Sequence, residues 1–303
     1  MPTADLVLAF PGQGSLSPGV GAPWRDHPCF AVVGEVGAST NTDLGRLLVD
    51  GDADALVATR NAQLATYALS LAILDASGLA PRATYALGHS LGEYTALVAT
   101  SIVDRDGGAR LVEARGTAML EAASQAPGTM VAMIGGDEAV AAAACESIGD
   151  LWVANLNGPG QVVLGGTVRA VEEATSRAKE LGFRRAIPLR VGGAFHTPLM
   201  ASAAPALAEA LGATQFSAGT ARVVANVDSN IVEQPQQWPA LLTRQLTEPV
   251  DWVGCVRALP AGAVVVELGA GGVLTGLTRR IRDDLDCRSV GVPEDLAALE
   301  GLT

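Results

Sequence analysis

Tyr85-Ala86-Leu87-Gly88-His89-Ser90-Leu91-Gly92-Glu93-Tyr94-Thr95-Ala96-Leu97-Val98-Ala99-Thr100 reads as three things in succession. A short apolar run suits a buried strand, Gly88 to Gly92 is a Gly-x-Ser-x-Gly turn, and Glu93 to Thr100 has helical composition. Strand, sharp turn and helix in that order belong to an α/β fold. Two readings of the turn stay open on this stretch alone. It is an ordinary strand-to-helix connection, of a kind Gly-rich chains produce by chance, or it is a nucleophile elbow. An elbow would expose Ser90 Oγ at a helix N-terminus and set the Leu91 N–H where a tetrahedral oxyanion forms.

Working outward, Leu6 to Phe10 predicts a second buried strand, which stops at the loop Pro11-Gly12-Gln13-Gly14. Gln63 to Ser77 has no Gly or Pro and predicts a buried helix. From Thr129 the texture changes. Strands are predicted at Thr129–Ile134, Leu151–Asn155, Gln161–Leu164 and Ala186–Leu189, with helices at Glu138–Ser147 and Val168–Leu181. That order is the order of a ferredoxin-like unit. Arg222–Asn226 and Val264–Leu268 then return as strands of the larger body. The expectation is a large α/β-hydrolase-like domain with a parallel-sheet core, formed by residues 1–127 and 191–303, into which a small ferredoxin-like subdomain, 128–190, is inserted.

Of 303 residues 49% are hydrophobic and 17% charged, enough to bury one large core and a smaller one. No apolar run reaches the 18 or so residues of a membrane span, and MPTADLVLAF has neither the basic start nor the cleavage site of a signal peptide. A soluble, cytoplasmic protein without a membrane partner is expected. Cys29, Cys145, Cys255 and Cys287 are scattered, with no C-x-x-C pair and no histidine at ligand spacing, which argues against a metal site and against a disulfide framework. The net charge of −12 makes nucleic acid a poor partner. Lys179 is the single lysine, so arginine carries almost all the positive charge.

A serine hydroxyl needs a base, and the chain offers only His27, His89 and His196. His89 adjoins Ser90, but neighbouring side chains diverge at such a turn, so it is expected to brace the elbow. His27 lies in a polar stretch and reads as a surface loop residue. His196 follows the glycine-permitted loop Val191 to Phe195 and precedes a predicted helix, Leu199–Leu211, which leaves it as the candidate base. No aspartate near either motif offers itself as a third member, so a backbone carbonyl or an amide side chain is expected to orient His196. On a predicted helix over Asp106–Ala123, Arg115 falls inside a stripe of Leu111, Val112, Ala118, Met119 and Ala122. A guanidinium there needs an anion. It is an internal salt bridge, a snorkelling side chain, or a two-pronged donor for a substrate carboxylate. Pro11 to Ser15 lacks the Gly-Lys-Ser/Thr ending of a phosphate loop. It is a plain turn or a loop that lets Gln13 shape an oxyanion hole.

Several segments then line up in one order: Leu8-Ala9-Phe10-Pro11-Gly12-Gln13-Gly14-Ser15, Gly88 to Tyr94, Arg115-Gly116 with Met119, Asn157-Gly158-Pro159-Gly160-Gln161-Val162-Val163, Phe195-His196-Thr197-Pro198-Leu199-Met200, Asn226-Val227-Asp228, Gln245-Leu246 with Pro249-Val250 and Trp252, and Glu267-Leu268-Gly269 with Val273-Leu274-Thr275-Gly276-Leu277. In these the chain resembles the malonyl-CoA:acyl carrier protein transacylase family, which includes discrete trans-acting polyketide acyltransferases, over nearly its whole length. The resemblance implies Ser90 as nucleophile, His196 as base, and the N–H groups of Gln13 and Leu91 as oxyanion hole. It implies Arg115 as ligand of the malonyl carboxylate, the Gln245 carbonyl as the group orienting His196, and Gln63 as pocket lining. Malonyl-CoA is the implied substrate, a phosphopantetheinylated acyl carrier protein the implied partner, no permanent cofactor is implied, and a monomer is expected. After Glu267-Leu268-Gly269 the family commonly has Pro-Gly and a polar or basic residue, where this chain has Ala270-Gly271-Gly272, so that loop departs from the pattern.

The implied reaction is ping-pong transfer for fatty acid or polyketide synthesis. Phe195 before His196 resembles the malonyl-selective pattern, since a bulky ring would crowd a substituent on the α-carbon. The rivals are an acyltransferase for another extender unit and a serine thioesterase or esterase. Carrier proteins of this kind are acidic, so docking is expected on a basic patch, Arg184, Arg185 and Arg190 or Arg279, Arg280 and Arg282.

Overall fold

Leu6–Phe10 (β1) is apolar and buried at every position, as a strand must be when it has neighbours on both sides and layers on both faces. The computed structural model describes residues 4–302. Residues 1–3 and 303, and with them the first residues of the leader reading and the outer limits of the expected large domain, lie outside the described residues. The other strands are β2 (Tyr85–Gly88), β3 (Gly128–Ile134), β4 (Leu151–Gly158), β5 (Gln161–Thr167), β6 (Arg185–Pro188), β7 (Arg222–Val224), β8 (Ile231–Val232), β9 (Val250–Asp251), β10 (Val264–Leu268) and β11 (Asp286–Val290). They form an α/β fold with two mixed sheets.

The six-stranded sheet runs β11-β10-β1-β2-β7-β8, parallel throughout except for β8 at its edge. Leu6, Leu8 and Phe10 face one core, and Val7 and Ala9 face the other. This is the two-residue alternation of a strand buried on both sides. The helices Thr59–Ser77, Leu91–Ala99 and Arg105–Gln125 supply much of the larger core. Phe10 pairs with Gly88, so the loop after β1 and the turn after β2 leave the carboxyl edge of the sheet side by side. That edge is where open parallel sheets place their sites.

The five-stranded sheet runs β6-β3-β5-β4-β9. β3, β4, β5 and β6 pair antiparallel, with Glu138–Ile148 linking β3 to β4 and Val168–Ser176 following β5. Their apolar faces close a core of their own around Val131, Leu164 and Phe183. β9 joins β4 in parallel from far along the chain, outside residues 128–190.

Two helices depart most from their expected extents. The run expected to be helical to Leu181 stops at Ser176, and the chain turns through Gly182 at φ 93° so that Phe183 enters the small core. Leu199–Leu211 is divided into a 3-10 stretch, Pro198–Ala203, and a helix, Ala204–Gly212. Pro205 sits in the first turn of the latter, where its missing N–H costs nothing.

Candidate active site

The elbow is forced by its glycines. A Cβ on Gly88 would lie 1.9 Å from the Gly92 carbonyl carbon, and one on Gly92 would lie 2.0 Å from the Phe10 oxygen. Strand, turn and neighbouring loop meet more closely than any side chain allows. Ser90 between them is held at φ 53°, in the left-handed region that costs a non-glycine residue about 1–3 kcal/mol. Three side-chain bonds hold this backbone. Asn226 Oδ1 accepts the Ser90 N–H at 2.8 Å, Asn226 Nδ2 donates to the Gly88 carbonyl at 2.7 Å, and Gln245 Nε2 donates to the Ser90 carbonyl at 3.0 Å.

Ser90 Oγ lies 2.7 Å from His196 Nε2, and His196 Nδ1 lies 2.7 Å from the Gln245 carbonyl oxygen. A carbonyl only accepts, so Nδ1 carries the proton and Nε2 is left to accept from the serine hydroxyl. Burial, reinforced by the Arg115 charge, pushes the His196 pKa down to about 3, so the ring is neutral at ordinary pH. Like Ser90 it stands at positive φ, 61°.

Arg115 is fully buried on the helix Arg105–Gln125. Nη1 donates to Gln63 Oε1 at 2.8 Å, while Nη2 donates to Ser90 Oγ at 3.0 Å and to Gln245 Oε1 at 2.9 Å. Its Nε has no partner. The guanidinium also lies over the Tyr94 ring, 5.3 Å from the centroid. Although fully buried, it makes no ion pair among the described residues, whereas surface arginines such as Arg25, Arg60 and Arg105 do. Burial lowers its pKa, yet a guanidinium stays charged in a protein, so the site holds a cation short of a carboxylate.

Ser90, His196, Arg115, Gln63 and Gln245 thus form one hydrogen-bonded cluster. Leu91 contributes the first N–H of the helix Leu91–Ala99, one of the donors that no helical carbonyl can reach. Gln13 opens a short 3-10 turn, Gln13–Ser15, in a loop that presses Gly12 against the His89 carbonyl. Phe195 joins by chain adjacency alone. Its ring edge lies beside Gly193 within the main core. His89 bonds Asn157 Oδ1 at 2.8 Å and leans on Trp252, away from Ser90 Oγ. His27 caps the turn Pro28–Phe30 and meets the Trp24 ring edge-on.

Sequence reasoning gave no role to Glu93, Asn226 or Asn157. Glu93 is almost wholly buried. Its Oε1 accepts the Asn226 N–H at 2.7 Å and its Oε2 accepts from Gln245 Nε2. Burial, opposed by those two bonds and by Arg115, pushes its pKa up to about 8. A carboxylate directly after the elbow, in a helix otherwise apolar, was the available signal. Among the described residues no cluster of His, Cys, Asp or Glu is arranged to hold a metal ion.

Residues 7–292 match the family described as an acyl transferase domain. A malonyl CoA-acyl carrier protein transacylase of Escherichia coli (strain K12) is 39% identical, across 97% of this chain and 98% of its own length. The chain belongs to the malonyl CoA-acyl carrier protein transacylase family. Solved members share the fold of this transacylase-family chain. An acyl-carrier-protein S-malonyltransferase from Burkholderia pseudomallei 1710b superposes with a TM-score of 0.90 at 37% identity, covering 97% of this chain and 98% of that one. A malonyl-transacylase solved in complex with a type II PKS acyl-carrier protein does so with a TM-score of 0.91 at 34% identity, covering 97% and 98%.

Proposed function

We propose that this enzyme transfers malonyl from malonyl-CoA to the phosphopantetheine thiol of an acyl carrier protein, through an ester on Ser90. The observation that carries the reading is the buried Arg115, with unspent donors, 3.0 Å from Ser90 Oγ. Such a cation suits an acyl group that ends in a carboxylate. Ser90 attacks the thioester carbon while His196 Nε2 takes its proton. The tetrahedral oxygen is received by the N–H groups of Leu91 and Gln13. The C–S bond then breaks, coenzyme A leaves as its thiol with the proton from His196, and the carrier thiol repeats the sequence against the ester. The Gln245 carbonyl fixes the His196 tautomer and Gln63 steadies Arg115.

Fatty acid and polyketide synthesis both use this step. The whole site comes from one chain, which suits a monomer. The absence of a helix long and apolar enough to cross a membrane among the described residues suits a cytoplasmic enzyme. We read residues 128–190 as a ferredoxin-like insert in an α/β-hydrolase-like body of 1–127 and 191–303. The split order β6-β3-β5-β4 supports the first part and the elbow on β2 the second.

Intact mass spectrometry after mixing with malonyl-CoA tests the function. A malonyl adduct on Ser90 that persists until carrier protein is added is expected. Rapid release of free malonate would make the enzyme a hydrolase instead.

A further inference from the structure

Arg115 and Glu93 are both buried, and one side chain stands between them. Gln245 turns its Oε1 to Arg115, which can only donate, and its Nε2 to the Glu93 carboxylate and the Ser90 carbonyl, which can only accept. With Glu93 ionised the amide orientation is therefore dictated, and the chain of bonds joins a buried negative charge to a buried positive one. Of the five N–H bonds of the guanidinium, three are spent on Gln63, Ser90 and Gln245. A carboxylate arriving at Arg115 meets a cation already shared with Glu93. It also adds a second negative charge to a space with little water to screen it.

The geometry points to Glu93 as a positioning residue that competes with the substrate carboxylate for Arg115 and releases it by taking up a proton. The inference rests on the reading of Arg115 as carboxylate ligand. Glu93 ionised is satisfied by donors alone, the Asn226 N–H and Gln245 Nε2. Once protonated, its O–H needs an acceptor. The Asn226 N–H is fixed in the backbone, so the Gln245 amide is the group that turns. Its Oε1 then accepts from Glu93, Nε2 leaves the Ser90 carbonyl and swings to the Arg115 side, and the substrate carboxylate accepts there from both Nε2 and the freed Nη2 hydrogen. The Gln245 main-chain carbonyl, and with it His196, stays in place. The proton comes from solvent and no bond other than O–H is made or broken.

Other groups face Glu93. Arg115 approaches from the helix Arg105–Gln125, Tyr94 from its own helix, Asp228 from the segment after β7, and Cys255 from the helix Trp252–Arg257. Burial drives the Tyr94 hydroxyl and the Cys255 thiol upward, and His196 and His89 downward. Asp228 leans outward toward Arg244, 4.0 Å away. An added anion raises the affinity of Glu93 for its proton above that of the empty site, where the pKa is pushed up to about 8. The sign follows. Below about pH 8 the carboxylate meets a neutral Glu93 and binding is level, and above it binding weakens as the pH rises.

The test measures binding of malonyl-CoA and of acetyl-CoA, which lacks the carboxylate, to the Ser90→Ala protein from pH 6.5 to 9.5. The malonyl-to-acetyl affinity ratio is expected to be level at first and then to fall by up to tenfold per unit above about pH 8. With Glu93→Gln added, the ratio should stay level throughout. A level ratio without that substitution, or a fall that survives it, overturns the inference. Should Glu93→Gln not fold, the buffer dependence of the binding heat at pH 8.5 decides. Fractional proton uptake with malonyl-CoA and none with acetyl-CoA supports the competition, and equal uptake refutes it. Failure of the Arg115 reading looks different, as a ratio near one at every pH that Arg115→Gln leaves unmoved.

Discussion

At the scale of single residues, the site is a web of shared bonds, Arg115 Nη2 and Gln245 Nε2 each serving more than one acceptor, that leaves Arg115 Nε without a partner. Truncating one member of a buried charge pair costs about 2–5 kcal/mol. Arg115→Gln should accordingly lower malonyl loading roughly 30-fold or more, and acetyl loading far less, as measured by single-turnover acylation with each donor. His196 gives a second expectation. Because burial and Arg115 hold it near pKa 3, the base is already neutral at pH 5. Acylation of Ser90 should then change little between pH 7 and pH 5. A histidine at its ordinary value of about 6.5 would lose nearly tenfold per unit over the lower part of that range. Rapid-quench acylation rates across that interval separate the two cases. Ser90 and His196 were legible as candidates because serine nucleophiles need a base and the chain holds three histidines. Asn226 was not, and Glu93 only as a lone carboxylate after the elbow, because their work is on the backbone of the elbow and on another side chain, and such contacts leave no periodic trace.

At the scale of elements, the elbow is a crossing of three backbones with no room for a side chain at Gly88 or Gly92. Gly92→Ala would drive a methyl into the Phe10 carbonyl, so we expect it to destabilise the fold by about 3 kcal/mol or more, read from urea unfolding, well before any effect on chemistry can be isolated. By contrast Gly14 has nothing within 4 Å of its would-be Cβ. Gly14→Ala should leave stability within about 0.5 kcal/mol by the same measurement. The buried strand β1 announced itself as a continuous apolar run, β10 as an apolar run interrupted only by Glu267, and β3 to β6 as a change of texture. The true end of the helix at Ser176 did not, because Phe183 docking into the small core overrides the helical composition that continues to Leu181. Tertiary packing decided that boundary.

At the scale of the whole molecule, the charge is acidic, yet several arginines lack a carboxylate partner. Arg190 pairs with Asp54 and Arg282 with Asp284, so each candidate patch is reduced to its other members. Arg184 abuts Gly135, Gly135 bonds Gly160, and Gly158 approaches Ile281 beside Arg279 and Arg280. The two clusters therefore flank one hairpin, β4–β5, whose Asn157 bonds His89 next to Ser90. Charge reversal at Arg184, Arg185, Arg279 and Arg280 together should raise the KM for carrier protein tenfold or more. The wild-type KM should itself rise with salt, and steady-state transfer assays at two ionic strengths check both.

The two-residue strand β9 has a further consequence for anyone who would treat residues 128–190 as a cassette. It pairs with Asn155 and Leu156 of β4 five residues after Gln245, and Asn157, the next residue of β4, grips His89. Exchanging that stretch for the equivalent of a relative would redraw the line on which the carbonyl behind His196 is hung. Chimaeras of this enzyme that aim at a new carrier should carry Gln245 to Asp251 across with residues 128–190, as one inherited piece.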